Sequence, residues 1–276
     1  MLKPIYITAY NLTNAWFETL YKCVELGKNF KIDRGSNAGQ DRREFDFITV
    51  QITNPDEGDL IPQLSEASPI PNPVEDGYLD SYMPYLMTGE EKEGEAYTYG
   101  QRICKVAVGE IHNRIDPILV IEEERMDSLP ENVLWLEKAN LLLNQMELMI
   151  WTYKNKGYRN NQMVLQVGQP SDMLLKDPPC LRHIDTRIQD DKLHFFPYFR
   201  SWDLYGGFPA NLAAIELMKQ YCAEQIGVEN GEIIASSKGL HLYDYVWEIA
   251  ESIRGKTMNE FRLEQNISYE NHISRE

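Results

Sequence analysis

The chain has 276 residues, 43% of them hydrophobic and 25% charged, which is the balance of a globular protein with a sizeable core and not of a disordered one. Asp and Glu number 43 against 27 Lys and Arg, and the resulting net charge of −16 repels phosphate backbones and anionic bilayers, excluding nucleic acid and membranes as general partners. Four widely spread cysteines (Cys23, Cys104, Cys180, Cys222) form no CxxC pair, so neither a thiolate metal site nor a disulfide framework is expected.

The opening PIYITAY alternates as a strand, and NAWFETLYKCVELG reads as an amphipathic helix stopped by Gly27. No apolar run here is long enough for a signal peptide, and the most apolar helical stretch, LLLNQMELMIW, is broken by Asn, Gln and Glu. A cytoplasmic protein is the expectation. After the polar loop DRGSNAGQDRR comes the β-rich run EFDFITVQITNP. Residues 56–77 are rich in Pro, Gly and acid and predict a long irregular segment, a surface loop or a lid. TGEEKEGE is a solvated turn.

Helical periodicity runs over 131–153, where Leu142, Met146, Met149, Ile150 and Tyr153 fall on one core-facing stripe. MVLQV predicts a strand, and LRHIDTRIQDDKLHFFPYFR a hairpin turning at Gln-Asp-Asp-Lys. NLAAIELMKQYCAEQIG is a helix after Pro209, burying Leu212, Ile215, Met218 and Cys222 and ending at Gly227. A strand at GEIIAS and a helix from HLYDYVWEIAESI complete one α/β domain spanning 1–276, with a loosely attached polar tail after Lys256.

Two clusters carry chemistry. Cys180 in KDPPCLRH follows two stiffening prolines and precedes a β-run, which holds its sulfur at a sheet edge. Arg182 and His183 are close, although strand alternation lets at most one share its face. A thiol becomes a nucleophile when a cation lowers its pKa, whereas Cys23 and Cys222 on helix stripes fit a core role and Cys104 has no assigned one. In RSWDLYGGFPANL, Arg200 and Ser201 supply phosphate donors and Asp203 an acceptor for an N–H edge or for a nearby Arg. Gly206, Gly207 and Pro209 shape a turn that a ligand can approach closely, and Asn211 opens the next helix as a ligand contact or as its N-cap.

Together these residues resemble the thymidylate synthase family. That family places a Pro-Cys nucleophile before a hairpin, then Arg-Ser-x-Asp and Gly-x-Pro-x-Asn. Here they are Pro179-Cys180, Arg200-Ser201-Trp202-Asp203 and Gly207-Phe208-Pro209-Ala210-Asn211. His241-Leu242-Tyr243 matches the family's His-x-Tyr and Tyr99-Gly100 its Tyr-Gly, so the resemblance covers residues 97–245, closer to the archaeal-type branch. It implies a mixed sheet packed with helices (α+β) and a homodimer, the single domain having a divergent N-terminal part at 1–95, a family core at 96–255 and a loose tail at 256–276.

The resemblance also implies roles. Cys180 adds to C6 of a pyrimidine nucleoside monophosphate, and C5 then attacks the one-carbon unit of 5,10-methylenetetrahydrofolate, a reduced folate. Arg200 and Ser201 hold the phosphate, Asn211 reads the N3–H and O4 edge, and His241 and Tyr243 fix the sugar hydroxyl. Asp203 orients the pterin beside Gly207, and Tyr99 assists proton removal at C5. The family's Arg pair before the nucleophile is reduced here to Arg159 in Tyr158-Arg159-Asn160-Asn161. Its catalytic Glu is matched only by distance, at Glu66, Glu75 or Asp76, and its N-terminal phosphate Arg by Arg34, Arg42 or Arg43. The end ISYENHISRE has no apolar closing tail, which brings in a nucleotide 5-hydroxymethylase beside a synthase, because water in place of hydride gives a hydroxymethyl group. Asn211, where cytosine-specific members commonly carry Asp, favours uracil. A non-catalytic nucleotide-binding protein is the remaining alternative.

Overall fold

A computed structural model describes residues 1–33, 37–64, 70–91, 93–110, 129–138 and 140–254. In chain order the strands and helices begin with β1 (Pro4–Ala9), α1 (Leu12–Leu26), β2 (Lys28–Lys31), β3 (Asp41–Glu44) and β4 (Phe47–Ile52). Next come α2 (Tyr78–Met87), α3 (Tyr99–Cys104), β5 (Val106–Glu110), β6 (Leu134–Glu137), β7 (Asn140–Leu143), α4 (Gln145–Lys156) and β8 (Val164–Gln166). The rest are β9 (Leu181–Gln189), β10 (Lys192–Phe199), β11 (Trp202–Asp203), α5 (Gly207–Ile226), β12 (Glu229–Ser237), β13 (Leu240–Tyr243) and α6 (Trp247–Arg254). The chain divides into two compact units, one of Met1–Tyr78, Phe199–Glu216 and Glu232 onward, the other of Leu79–Tyr198 and Leu217–Gly231. Among the described residues no helix is long and apolar enough to cross a membrane.

In the first unit β1 pairs parallel with β4 from Pro4↔Phe47 to Ala9↔Ile52, and β12 pairs antiparallel with β4 from Ile233↔Ile52 to Ser237↔Ile48, a mixed arrangement. Helix α1 packs on β1, β4 and α6. Its start is capped by Asn11, whose side chain accepts from the Asn14 N–H, and Trp16, Phe17 and Leu20 on its inner face are buried. The Trp16 indole N–H donates to the carbonyls of both Leu204 and Tyr205 at 3.1 Å, so a core helix sets the turn that leaves β11. A second sheet runs β11-β13-β3-β2. There the predicted loop DRGSNAGQDRR ends in strand β3, which β2 and β13 hydrogen-bond on its two sides. The helix expected from His241 starts only at Trp247, because residues 240–243 are taken into this sheet between β11 and β3.

In the second unit β8, β9 and β10 are successive neighbours, and β5-β7-β6 form a separate antiparallel sheet. The predicted hairpin is present: Asp190 and Asp191 (φ 53° and 57°) form its two-residue turn, the left-handed pair that matches strand twist. The helix expected over 131–153 is half strand. Residues 134–143 form the β6-β7 hairpin with Lys138 at φ 60°, and α4 starts at Gln145 behind its Asn144 cap. Leu142, Met146, Met149, Ile150 and Tyr153 are nonetheless all buried. Helix α2 was not foreseen. Its C-terminal end meets the start of α3 so closely that a Cβ on Gly100 would lie 2.0 Å from the Thr88 carbonyl oxygen, which leaves glycine as the residue that fits. The described parts of 56–77 contain no helix or strand.

Candidate active site

None of the four cysteines is in a disulfide. Cys23, Cys104 and Cys222 are buried, and burial pushes the thiols of Cys23 and Cys104 up to about 12 and raises that of Cys222 as well. Desolvated thiols of this kind stay protonated and inert near neutrality. Cys180 differs, being half-buried immediately ahead of β9.

Within the second unit, Tyr99 opens α3 behind the Thr98 cap, and its hydroxyl accepts from the Leu181 backbone N–H at 3.3 Å, one residue past Cys180. Burial raises the Tyr99 phenol, and neighbouring Cys180 raises it further. Aromatic contacts continue outward, with Tyr85 edge-on to Tyr99 at 5.4 Å and stacked on Tyr82 at 5.5 Å. Arg182 and His183 diverge as strand alternation requires. His183 stacks on Tyr198, while Arg182 pairs with the buried carboxylate of Asp172 at 3.0 Å. Asp172 also binds Arg102 at 3.0 Å, and sequence reasoning singled out neither residue.

Within the first unit the second cluster surrounds β11 and β13. Among the described residues Asp203 makes no ion pair. Its Oδ2 accepts from the N–H groups of Gly206 at 3.0 Å and Gly207 at 2.9 Å, and its Oδ1 from Tyr205 at 3.3 Å. Asp203 therefore secures the start of α5, which begins at Gly207, and Asn211 lies a turn inside the helix instead of capping it. Asn211 Oδ1 accepts from the Trp202 indole N–H at 3.0 Å, a bond that orients the amide. A Cβ on Gly207 would lie 3.2 Å from the Asp203 Cβ and 3.9 Å from Asn211 Oδ1, so a bare backbone leaves both side chains uncovered there. Arg200 and Ser201 are half-buried between β10 and β11, and a Cβ on Gly239 would lie 3.3 Å from the Arg200 carbonyl oxygen.

Strand register brings further residues to this cluster. Across β11, β13 and β3, Asp203 and Glu44 both lie level with His241, and Arg42 lies level with Tyr243. Paired residues share a face, so Asp203, His241, Tyr243, Arg42 and Glu44 stand on one side of the sheet. His241 is 2% exposed. Its Nδ1–H donates to the Gly239 carbonyl at 2.8 Å, which makes Nε2 the acceptor, and among the described residues that buried atom has no hydrogen-bond partner. Burial lowers the His241 pKa, so the ring is neutral at pH 7. Asn37 donates to the Tyr243 hydroxyl at 2.9 Å, and Tyr245 stacks on Tyr243 at 5.6 Å. Arg42 pairs with Glu44 at 2.8 Å, and burial raises the Glu44 carboxyl.

Of the three arginines considered for phosphate, Arg43 is engaged elsewhere, pairing with Glu251 at 3.0 Å and lying over the Trp247 ring. Arg42 is on the His241 face, and Arg34 lies outside the described residues. Glu75 and Asp76 are exposed; Glu66 and the tail after Lys256 lie outside the described residues.

The thymidylate synthase family profile matches residues 96–274. A Methanosarcina mazei protein named "putative thymidylate synthase" is 27% identical over 247 residues, covering 90% of this chain and 93% of its own. One of the same name from Methanothermobacter thermautotrophicus is 22% identical over 254 residues, 90% of this chain and 97% of that one. The solved structure of thermostable thymidylate synthase A from Bacillus subtilis superposes with a TM-score of 0.60 at 14% identity, covering 90% of this chain and 85% of its own, a likeness of fold.

Proposed function

Because the chain belongs to the thymidylate synthase family, we propose that it is a folate-dependent one-carbon transferase that methylates C5 of a pyrimidine nucleotide, converting dUMP to dTMP. The observation that carries this reading is the contrast among thiols: three are sealed in the core, and the half-buried fourth, Cys180, lies beside the hydroxyl of Tyr99. Addition of the Cys180 thiolate to C6 turns C5 from an unreactive ring carbon into a carbon nucleophile. Proton loss from C5 follows bond formation there. The phenol of Tyr99, raised by burial and by Cys180, is neutral at pH 7 and assists that step as a hydrogen-bonding group, not as an anionic base.

Binding roles follow the donors and acceptors present. Asn211, oriented by Trp202, offers an amide to the N3–H and O4 edge. The buried Nε2 of His241 is an acceptor that a sugar hydroxyl satisfies, with Tyr243 next to it at 4.6 Å between ring centroids. Arg200 and Ser201 take the phosphate, and Arg42 joins them as a further cation in this reading. The one-carbon donor is 5,10-methylenetetrahydrofolate, which supplies the carbon and, for a methyl product, the hydride. Asp203 fits its pterin N–H edge, since three backbone N–H groups hold the carboxylate in one orientation and Gly206 and Gly207 leave it uncovered. A homodimer is the assembly that this reading implies.

The test is a product assay by mass spectrometry with methylenetetrahydrofolate and dUMP, dCMP, UMP or CMP in separate reactions. A methylated dUMP product with dihydrofolate is expected. A hydroxymethylated product with tetrahydrofolate would replace the synthase by a hydroxymethylase, and the nucleotide consumed would name base and sugar. No product from any nucleotide would leave a binding protein.

A further inference from the structure

The peptide groups on both sides of Cys180 are held by side chains. Behind it, Tyr99 receives the Leu181 N–H at 3.3 Å; ahead of it, the Arg182 guanidinium donates to the Pro179 carbonyl at 3.4 Å. The same guanidinium donates to the Gln169 carbonyl at 3.5 Å and to Asp172 Oδ2 at 3.0 Å. Asp172 is 1% exposed, and its carboxylate is fully engaged: Oδ1 accepts from Arg102 at 3.0 Å, and Oδ2 accepts from the Gln169 N–H at 2.7 Å as well as from Arg182. Arg102 reaches the Val167 carbonyl at 3.4 Å. Backbone follows the same line, with the Val167 and Gly168 N–H groups donating to the Arg182 carbonyl at 3.0 and 2.7 Å. A Cβ on Gly168 would fall 2.5 Å from the Arg182 guanidinium carbon, so the arginine lies flat against bare backbone.

We propose that Asp172 is a positioning residue for the Cys180 nucleophile, acting through the Arg182 guanidinium that it anchors against the Pro179 carbonyl. A burial this deep is costly for a carboxylate unless its partners are fixed, and two guanidiniums around one carboxylate leave an excess of one positive charge. Arg182 carries its part of that charge to the Pro179 carbonyl, one residue before Cys180, and a cation near a thiol favours thiolate. The fork of Arg182 meets Asp172 and two carbonyls together, whereas a lysine ammonium would keep the charge and only part of these contacts. The proposal rests on Cys180 being the nucleophile, but its test reads the thiol and not turnover.

The test is the rate of iodoacetamide alkylation of Cys180 at neutral pH, followed by peptide mass spectrometry, with Cys23, Cys104 and Cys222 as internal controls for opening of the core. Arg182→Gln is expected to slow alkylation about five- to tenfold, and Arg182→Lys to recover it to within about threefold of the parent chain. Asp172→Asn keeps the shape but releases the anchor, and is expected to slow Cys180 about three- to fivefold. General destabilisation moves all four thiols the other way, towards faster labelling. Unchanged or faster alkylation in Arg182→Gln would overturn the proposal, as would Arg182→Lys no faster than Arg182→Gln. Faster alkylation in Asp172→Asn would also overturn it, since the carboxylate would then act only as a counter-charge. Should Asp172→Asn fail to fold, Gly168→Ala displaces the guanidinium without changing any charge and must slow Cys180 in the same sense.

Discussion

Burial separates Cys23, Cys104 and Cys222 from the half-buried Cys180 before any ligand is considered. Cys180→Ala is expected to abolish turnover and covalent nucleotide adducts while leaving nucleotide binding within about threefold, checked by denaturing mass spectrometry and by titration. The Asn211 amide oxygen accepts from the Trp202 indole N–H. Trp202→Phe removes the indole N–H, should cost about 1 kcal/mol of stability, and should raise the nucleotide KM more than it lowers kcat. His241 yields a pH prediction. Burial depresses its folded pKa below the unfolded value of about 6.5, so its contribution is intact above that pH and is lost as pH falls from about 6.5 through the folded value. Melting temperature should therefore drop on mild acidification, and His241→Gln should flatten that slope; an unchanged slope would assign the loss elsewhere, for example to His183, also depressed by burial.

At the scale of elements, local signals succeeded where they named a backbone requirement and failed where two elements competed for one stretch. The Asp190-Asp191 turn of β9 and β10 was legible because two turn-forming residues separate two alternating runs. Replacing the pair by Asn-Gly, which adopts the left-handed region more readily, should stabilise the chain by about 0.5–1 kcal/mol in chemical denaturation. By spacing, Leu142 extends the α4 stripe back into residues 134–143, yet it is buried just as well from strand β7. Apolar spacing over so few residues suits both periods. Likewise His241 and Tyr243, two apart, share one face of β13, and only pairing with β3 and β11 decides against helix. Gly100→Ala belongs here too: with the Thr88 and Tyr85 carbonyl oxygens 2.0 and 2.8 Å from the new Cβ, the substitution should cost about 2–3 kcal/mol and disturb Tyr99 with it.

Over the whole molecule, 43 acidic against 27 basic residues impose self-repulsion on the folded state. Added salt screens it, so raising NaCl from about 0.02 to 0.3 M should raise the melting temperature by about 2–4 °C; a fall would mean that ion pairs such as Asp172 with Arg102 and Arg182 outweigh the repulsion. A protein of this charge that binds a nucleotide must gather its cations locally. Arg200 and Arg42, both in the first unit, are the arginines that this reading assigns to the task, while Arg43 is committed to Glu251.

Residue order alone was enough for the family and to single out Cys180, Arg200, Asp203, Asn211, His241 and Tyr243 as candidates, because each sits in a short run that matches the family's motifs. It also sufficed for helices α1 and α5 and for the tight hairpin, whose causes are local. Partnership was another matter. That Arg42 and Glu44 stand level with Tyr243 and His241 depends on strand register, and that Asp203 serves three backbone N–H groups while Trp202 bonds Asn211 depends on how the turn between β11 and α5 folds. That Asp172 joins Arg102 to Arg182 depends on three segments separated by 70 and 10 residues coming together in one unit. Such contacts are selected by packing and by the cost of burying an unpaired charge, and neither leaves a periodic mark on the chain.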